Sequence, residues 1–214
     1  MRSYKQYCAL AKALDIIGDR WTLLIIRELL LQGPCRYTDL QRGLPGVATN
    51  LLAERLEELK VAGLVKGEVA PPPIATTLYQ LTPRGRELEP VLVAMGRWGA
   101  PLLAVASRND VLRTHWLAMP IRHLLADHRP HLPPATIEIR IGDEPIVIEL
   151  DSGRLTTRNR SVQNPDLVLT GPHQAVLGAL AGKLDLATAT AAGLQYEGNI
   201  QLLERLRPQA SPNY

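Results

Sequence analysis

Two stretches of the chain predict an α+β protein built of two domains. Between residues 36 and 81 a short helical pattern, a Leu44-Pro45-Gly46 turn, a longer amphipathic pattern ending at Ala62-Gly63 and two β-forming runs around Pro71-Pro72-Pro73 follow one another. That is the element order of a winged helix-turn-helix. Residues 136–141 alternate apolar and polar at period two, residues 146–150 are strongly β-forming, two further strands follow between turn residues up to residue 170, and helical spacing returns after Gly171-Pro172. Strands followed by helices in one module indicate an α+β domain with a mostly antiparallel sheet. A chain of 214 residues suits two such domains, each large enough to bury a core. We place them at residues 1–106 and 107–214, with the boundary near Ser107.

The individual elements follow in order. Leu10, Ala13, Leu14 and Ile17 recur at helical spacing and Gly18 closes the helix. Asp19 reads as the cap of the next helix, whose apolar face is Trp21, Leu24, Ile25 and Leu29 and which Gly33-Pro34 stops. Thr38 reads as the cap of a two-turn helix carrying Leu40. In the longer helix that starts at Thr49, Leu52, Leu56, Leu59 and Gly63 share one stripe, and Asn50, Ala53, Glu54 and Glu57 lie opposite it. A strand begins at Leu64-Val65, the three prolines form a tip because they cannot donate ladder hydrogen bonds, and residues 77–81 return. Thr82-Pro83 is a cap with proline in the first turn, and a long helix runs through Leu88, Val91, Leu92, Met95, Trp98 and Leu102, with Gly96, Gly99 and Pro101 as places to bend. Asn109-Asp110 caps a further helix carrying Leu112, Trp116, Leu117, Leu124 and Leu125, with a break at Pro120.

In the second domain, residues 136–141, 146–150, 153–160 and 166–170 read as strands. Helices through Val176, Leu177 and Leu180 and over 184–191, a short strand at 194–196 and a last helix from Asn199 through Leu203 and Leu206 complete it. Residues 209–214 read as a frayed tail.

Composition narrows the function classes. The net charge is +3, and its excess lies in residues 1–106, which hold 13 Lys and Arg against 10 Asp and Glu; residues 107–214 hold 11 of each. This permits nucleic-acid binding without requiring it. No apolar run is long enough to cross a bilayer and no secretory segment opens the chain, so a cytosolic protein without membrane insertion is expected. Two cysteines, Cys8 and Cys35, are too few for a disulfide framework. No nucleophile motif, metalloprotease signature or glycine-rich phosphate loop is present, so neither an enzyme nor a cofactor is expected. His115, His123, His128 and His131 crowd one segment, but their spacing is wrong for a helical metal pair, and no metal site is assigned.

DNA recognition requires the helix from Thr49 to enter a major groove with its first turns nearest the base edges, which makes Thr49, Asn50, Ala53 and Glu54 the base-reading candidates. Asn50 has the chemistry to pair bidentately with adenine, and Glu54 to accept from cytosine, although Glu54, Glu57 and Glu58 are equally readable as a solvated face. Thr38 on the preceding helix and the cations Arg36, Arg42, Arg55 and Lys66 are the candidates for phosphate contacts. Arg55 lies at the edge of the buried stripe, where it has the alternative of bracing the fold. In the second domain Ile137, Ile139, Ile141, Ile146, Ile148, Leu177, Leu180 and Leu184 either line a pocket or fill a solid core, since both use the same residue types.

Three motifs together resemble the HxlR family of bacterial transcription regulators. They are Cys8 followed by Ala13-Leu14-Asp15-Ile16-Ile17-Gly18-Asp19-Arg20-Trp21-Thr22; Arg36-Tyr37-Thr38-Asp39-Leu40; and Asn50-Leu51-Leu52 with Arg55-Leu56 and Ala62-Gly63-Leu64. Tyr79 to Pro83 and Gly96-Arg97-Trp98 also fit, so the resemblance spans about residues 4–99. It implies a winged-helix homodimer on operator DNA, with the helix after the wing contributing to dimerisation. It also makes Cys8 a candidate redox sensor, because family members often carry a sensing cysteine there; Lys5, Lys12 and the helix N-terminus would favour its thiolate. One departure stands out: residues 67–82 contain no Lys or Arg, whereas the family commonly has a basic residue near the wing tip.

Residues 164–171, Gly182-Lys183-Leu184-Asp185 and residues 193–198 resemble a sterol-carrier-protein-like domain, which implies an apolar interior able to accept a hydrophobic small molecule. The whole then reads as a homodimeric regulator, expected to be a repressor, with a C-terminal domain that binds an effector. Its rivals are a C-terminal domain that only scaffolds the dimer, with regulation absent or by oxidation of Cys8, and a lipid-binding carrier.

Overall fold

The computed structural model describes residues 3–73, 75–105, 110–142 and 144–208. The boundary expected near Ser107, the cap at Asn109 and the tail at 209–214 lie outside the described residues. The chain divides into two compact units, residues 1–111 and 112–214.

In the first unit α1 (Ala9–Ile17), α2 (Thr22–Gln32), α3 (Tyr37–Gly43) and α4 (Thr49–Val61) precede a small sheet of β1 (Cys35–Arg36), β2 (Val65–Val69) and β3 (Thr77–Leu81) in the order β1-β3-β2. The hairpin pairs Val65 with Leu81 and Val69 with Thr77, leaving the prolines at its tip. Ile25, Ile26, Leu29, Leu40, Leu44, Leu52, Leu56 and Leu59 form the core. Burying branched side chains of this size contributes roughly 1.5–3 kcal/mol each, so these periodic leucines and isoleucines hold the three-helix packing.

Several capping expectations are corrected. Asp19 does not cap α2; Trp21 occupies that position with φ 80°, and the Asp19 carboxylate is turned to Arg55 instead. Thr38 does not cap α3. Arg36 precedes the helix and its N–H donates to Asp39 Oδ2 at 3.1 Å, so an acid in the first turn closes the end in place of a hydroxyl. Thr82 is a cap as expected: its Oγ1 accepts from the Gly85 N–H at 3.1 Å and donates to the Gly63 carbonyl at 2.7 Å, joining the end of α4 to α5 (Pro83–Arg86). The long helix expected to follow is split before α6 (Glu89–Gly99), because Pro90 has no N–H to continue the ladder, and beyond Gly99 it tightens into a 3₁₀ turn, Ala100–Val105. β1 was not expected; its two residues are too short to carry a period.

The second unit opens on a 3₁₀ turn, Thr114–Leu117, and α7 (Ala118–Leu124). Pro120 therefore does not break a long helix but sits in the first turn of a short one, where no intrahelical donor is required. Leu125 falls in β4 (Leu125–Asp127). Five strands form the main sheet: β5 (Ala135–Arg140), β6 (Ile146–Asp151), β7 (Arg154–Arg158), β8 (Leu167–Thr170) and β9 (Gln195–Gly198). Their order is β7-β6-β5-β8-β9, antiparallel except for β5 with β8. Helices α8 (His173–Leu180) and α9 (Leu186–Ala191) lie between β8 and β9, and the Asp185 carboxylate caps α9 through the Thr188 N–H at 2.7 Å. The helix expected from Asn199 is instead a 3₁₀ turn, Ile200–Arg205, and Leu206 begins β10 (Leu206–Pro208), which pairs with β4.

Among the described residues of this unit three charged side chains, Asp127, Glu138 and Arg205, are buried and all three are paired, as burial demands. Arg205 donates to Asp127 through Nε at 3.2 Å and Nη2 at 2.6 Å and to the Pro133 carbonyl at 2.7 Å. Glu138 accepts from Arg140 Nε at 2.6 Å, Ser161 Oγ and the Val162 N–H, which pins the segment after β7 to the sheet. Burial pushes the Glu138 carboxyl up, but these donors together hold it below its usual value.

The Arg205 guanidinium, aided by the Arg129 N–H, lowers Asp127 from its ordinary pKa of 3.8 against the opposing effect of burial. A lowered folded-state pKa contributes stability above 3.8 that is lost as the pH falls through the folded value. Asp127→Asn leaves the buried guanidinium without its counter-charge and is expected to cost roughly 3–5 kcal/mol. Amide exchange in β5 and β6 measures this: protection should fall by that amount in the variant at pH 7, and the difference from wild type should shrink under acid. Unchanged protection would contradict the pairing.

Candidate nucleic-acid interface

The helix-turn-helix is set by how α4 begins. The Tyr37 hydroxyl donates to the Thr49 carbonyl at 2.5 Å, and Gln41 Nε2 donates to Thr49 Oγ1 at 2.9 Å, so the first residue of α4 is tied twice to α3. Between the helices Leu44 and Val47 are buried and Gly46 takes φ 86°, a left-handed conformation that glycine adopts without strain. From Thr49 the 3.6-residue period buries Leu52, Leu56 and Leu59 and leaves Asn50, Ala53, Glu54 and Glu57 exposed. The base-reading candidates Thr49, Asn50, Ala53 and Glu54 are thus all exposed in the first two turns of α4. Thr49 already accepts from Gln41, which leaves its hydroxyl proton to donate.

The cations are less uniform than the sequence suggested. Arg36 at the end of β1 and Thr38 and Arg42 on α3 are exposed, with Arg42 Nη1 3.4 Å from Asp39. Arg55 is half-buried: Nη1 donates to Asp19 Oδ2 at 2.8 Å and closely to Glu58, and Nη2 lies 3.7 Å from Glu54. It braces α4 against the α1–α2 connection, the alternative its sequence position left open. Lys66 pairs with Glu68 on the wing at 2.5 Å, and Glu68 also accepts from Gln80. The anchoring roles of Asp19, Tyr37 and Gln41 carry no local signal in the sequence, because their partners lie 36, 12 and 8 residues away. Asp15, Asp19, Glu54 and Glu58 line a cleft of about 650 Å³ beside α4 in which Arg55 is the lining cation.

Cys8 is exposed at the start of α1 with no side-chain cap bond. Lys12 is engaged by Asp15 at 3.6 Å, and Asp15 also accepts from Ser3 Oγ and the Tyr4 N–H, so the segment before α1 folds back on it. Cys35 is buried in β1 and its thiol is pushed up to about 12, by burial first and then by Asp39 and Glu28. In the second unit Ile137, Ile139, Ile146 and Ile148 are fully buried on one sheet face, cross-strand partners in the pairs Ile137 with Ile148 and Ile139 with Ile146. Leu180 is buried, and Leu177 and Leu184 are half-buried. None of the seven lines the 650 Å³ cleft or a second one of about 390 Å³ beside Thr136, Glu149 and Asp166.

Residues 16–106 match the family of HxlR-like helix-turn-helix proteins, and the HTH-type transcriptional regulator YvaP of Bacillus subtilis is 38% identical over 87 residues, 41% of this chain and 80% of YvaP. The chain belongs to the HxlR-like helix-turn-helix family. An HTH-type transcriptional regulator of Synechocystis is 36% identical over 107 residues, 50% of this chain and 78% of that protein. The reduced form of the transcriptional regulator YodB from B. subtilis is 30% identical, covers 48% of this chain and all of its own, and superposes with a TM-score of 0.41. Beyond the HxlR-like unit, residues 133–210 match the SCP-2 sterol transfer family. β4 and α7 precede that match, yet Asp127 and β4 close on Arg205 and β10 within it.

The two thiols of this HxlR-like protein should separate cleanly. Iodoacetamide at neutral pH is expected to alkylate Cys8 alone in the native chain and both thiols after unfolding, as read by peptide mass spectrometry. Rapid native labelling of Cys35 would contradict its burial.

Proposed function

We propose that this chain is a sequence-specific DNA-binding repressor of the cytosol that acts as a homodimer and carries a hydrophobic effector in its C-terminal domain. The observation that carries the DNA reading is the exposed face of α4, where Thr49, Asn50, Ala53 and Glu54 project from a helix fixed at its first residue by Tyr37 and Gln41. In this reading those four side chains meet base edges, each good bidentate pair contributing about 1–3 kcal/mol of discrimination, while Thr38, Arg36 and Arg42 approach phosphates and Arg55 and Lys66 hold the fold. A dimer seated on its operator excludes polymerase without any further surface, which makes repression the simplest outcome.

The dimer is supported by an apolar stripe. Val91, Met95 and Trp98 on α6 and Leu102 in the turn after it recur at helical spacing and are exposed, Trp98 by 80%. A surface of this kind in a water-facing protein marks an association site, and two-fold symmetry would set two α4 helices on half-sites about one DNA turn apart.

Two readings of the second unit follow. The match to the SCP-2 family supports an apolar ligand, and such a ligand regulates only by binding one dimer geometry better than another. The complete burial of Ile137, Ile139, Ile146 and Ile148 favours a solid scaffold instead. Native mass spectrometry of the purified chain with a panel of fatty acids and sterols decides between them: a retained adduct and a raised melting temperature support the effector, and neither supports the scaffold.

Two measurements test the rest. Sedimentation equilibrium should give a dimer for wild type and a monomer for Trp98→Glu. Titration of a 30-bp mixed-sequence duplex should show log affinity falling with log salt at about 0.9 per phosphate contact, a slope of roughly −4 or steeper. A flat salt response would count against DNA binding.

A further inference from the structure

We propose that Arg20 is a phosphate anchor of the interface, held in place by the ring of Trp21; the inference rests on the DNA-binding reading above and adds to it a contact on the flank of α4 formed by Arg55 and Glu58. The connection between α1 and α2, Gly18-Asp19-Arg20-Trp21, touches the recognition helix at two points. Asp19 accepts from Arg55 on the second turn of α4 at 2.8 Å. Trp21 covers the turn that leads into α4: a Cβ on Gly46 would lie in ordinary contact, 3.9 Å from the indole Cη2. Arg20 lies between these two residues in the chain, on the connection that touches α4.

Three further observations single it out. The Arg20 guanidinium lies over the Trp21 ring, 5.6 Å from its centroid, a planar cation on an aromatic face. Trp21 holds φ 80°, which a bulky residue rarely adopts and which persists where the surroundings over-determine it. The third is the charge census around the interface. Arg42, Arg55, Lys60 and Lys66 are each paired with an acid. Among the described residues no carboxylate pairs with Arg20, its neighbour Asp19 being taken by Arg55, and Arg20 is exposed.

The position answers a need of the groove. A helix in the major groove is flanked by two phosphate walls. On the wheel of α4, Thr49 and the α3 residues tied to it mark one flank, with exposed Arg36 and Arg42. Arg55 and Glu58 mark the other, where Asp19, Glu54 and Glu58 line the acidic cleft. A phosphate on that side meets repulsion unless an unpaired cation stands there, and Arg20 is that cation. Because its ring partner already restricts the side chain, less freedom is lost when it docks.

The test is salt-dependent binding of the full chain to a 30-bp mixed-sequence duplex, with wild type, Arg20→Ala and Arg20→Lys, alongside their melting temperatures. Loss of one phosphate contact makes the log–log salt slope shallower by about 0.9 per protomer, so the fall in affinity between ~50 and ~200 mM salt shrinks roughly 3.5-fold for each anchor lost. The expected result is that shallower slope for Arg20→Ala, an unchanged melting temperature, and recovery of the slope by Arg20→Lys. A steep wild-type slope that Arg20→Ala leaves intact overturns the anchor while leaving DNA binding standing. Weaker binding with an unchanged slope and a lowered melting temperature also overturns it, since Arg20 would then only brace Trp21. A flat wild-type slope removes the DNA reading itself and the anchor with it.

Discussion

The first unit depends on one constraint: α4 must bury Leu52, Leu56 and Leu59 while leaving the opposite face free. Thirteen residues of helix have too little area to hold themselves against fraying, so the surroundings fix both ends and one side. Tyr37 and Gln41 hold the start, Thr82 reaches the carbonyl of Gly63 just past the end, and Asp19 holds Arg55 along the side. These contacts leave Asn50, Ala53 and Glu54 exposed on a helix whose position is fixed. Exposed polar contacts at the rim of such a helix do more for its placement than for net stability, since each hydrogen bond contributes only about 0.5–1.5 kcal/mol over its bonds to water.

Charge is distributed by the same logic. The wing has no basic residue and the cation at its base, Lys66, is neutralised by Glu68, so the hairpin offers little attraction to a minor groove. The acids around α4 are offset locally by Arg55. Arg36, just before α3, and Arg20, at the α1–α2 connection, are exposed and have no acid partner among the described residues. The second unit solves a different problem: short strands β4 and β10 pair three residues each, and the buried ion pair of Asp127 with Arg205, joined across 78 residues of sequence, fixes their register where hydrophobic pattern cannot.

Long, periodic elements were legible from sequence. The leucine stripe of α4, the hairpin around the prolines, the alternating strand β5, the β-forming run of β6 and the Thr82-Pro83 cap all appear where residue pattern places them, because each is set by local chemistry. What was not legible depends on partners far away in the chain. Asp19 reads as a cap by type, but a half-buried guanidinium 36 residues on binds its carboxylate more strongly than a backbone amide would. Thr38 loses the cap position to Arg36 because Asp39 closes the turn. β1, β4 and β10 are too short to show a period, and the helix expected after Asn199 yields to strand pairing at Leu206. The resemblance of residues 182–185 and 193–198 to a sterol carrier was readable as a motif, whereas whether Ile137 and its neighbours line a cavity depends on packing that no pattern encodes.

The central claim is that α4 reads base sequence in a symmetric dimer. Selection of bound duplexes from a random-sequence pool by the full chain tests it most directly. The account predicts enrichment of a two-fold symmetric motif with half-site centres about 10 bp, or a multiple of one helical turn, apart, and a change of preferred base at one half-site position when Asn50 is replaced by alanine. A pool that emerges without any enriched motif, or a motif that Asn50→Ala leaves untouched along with Glu54→Ala, would contradict it.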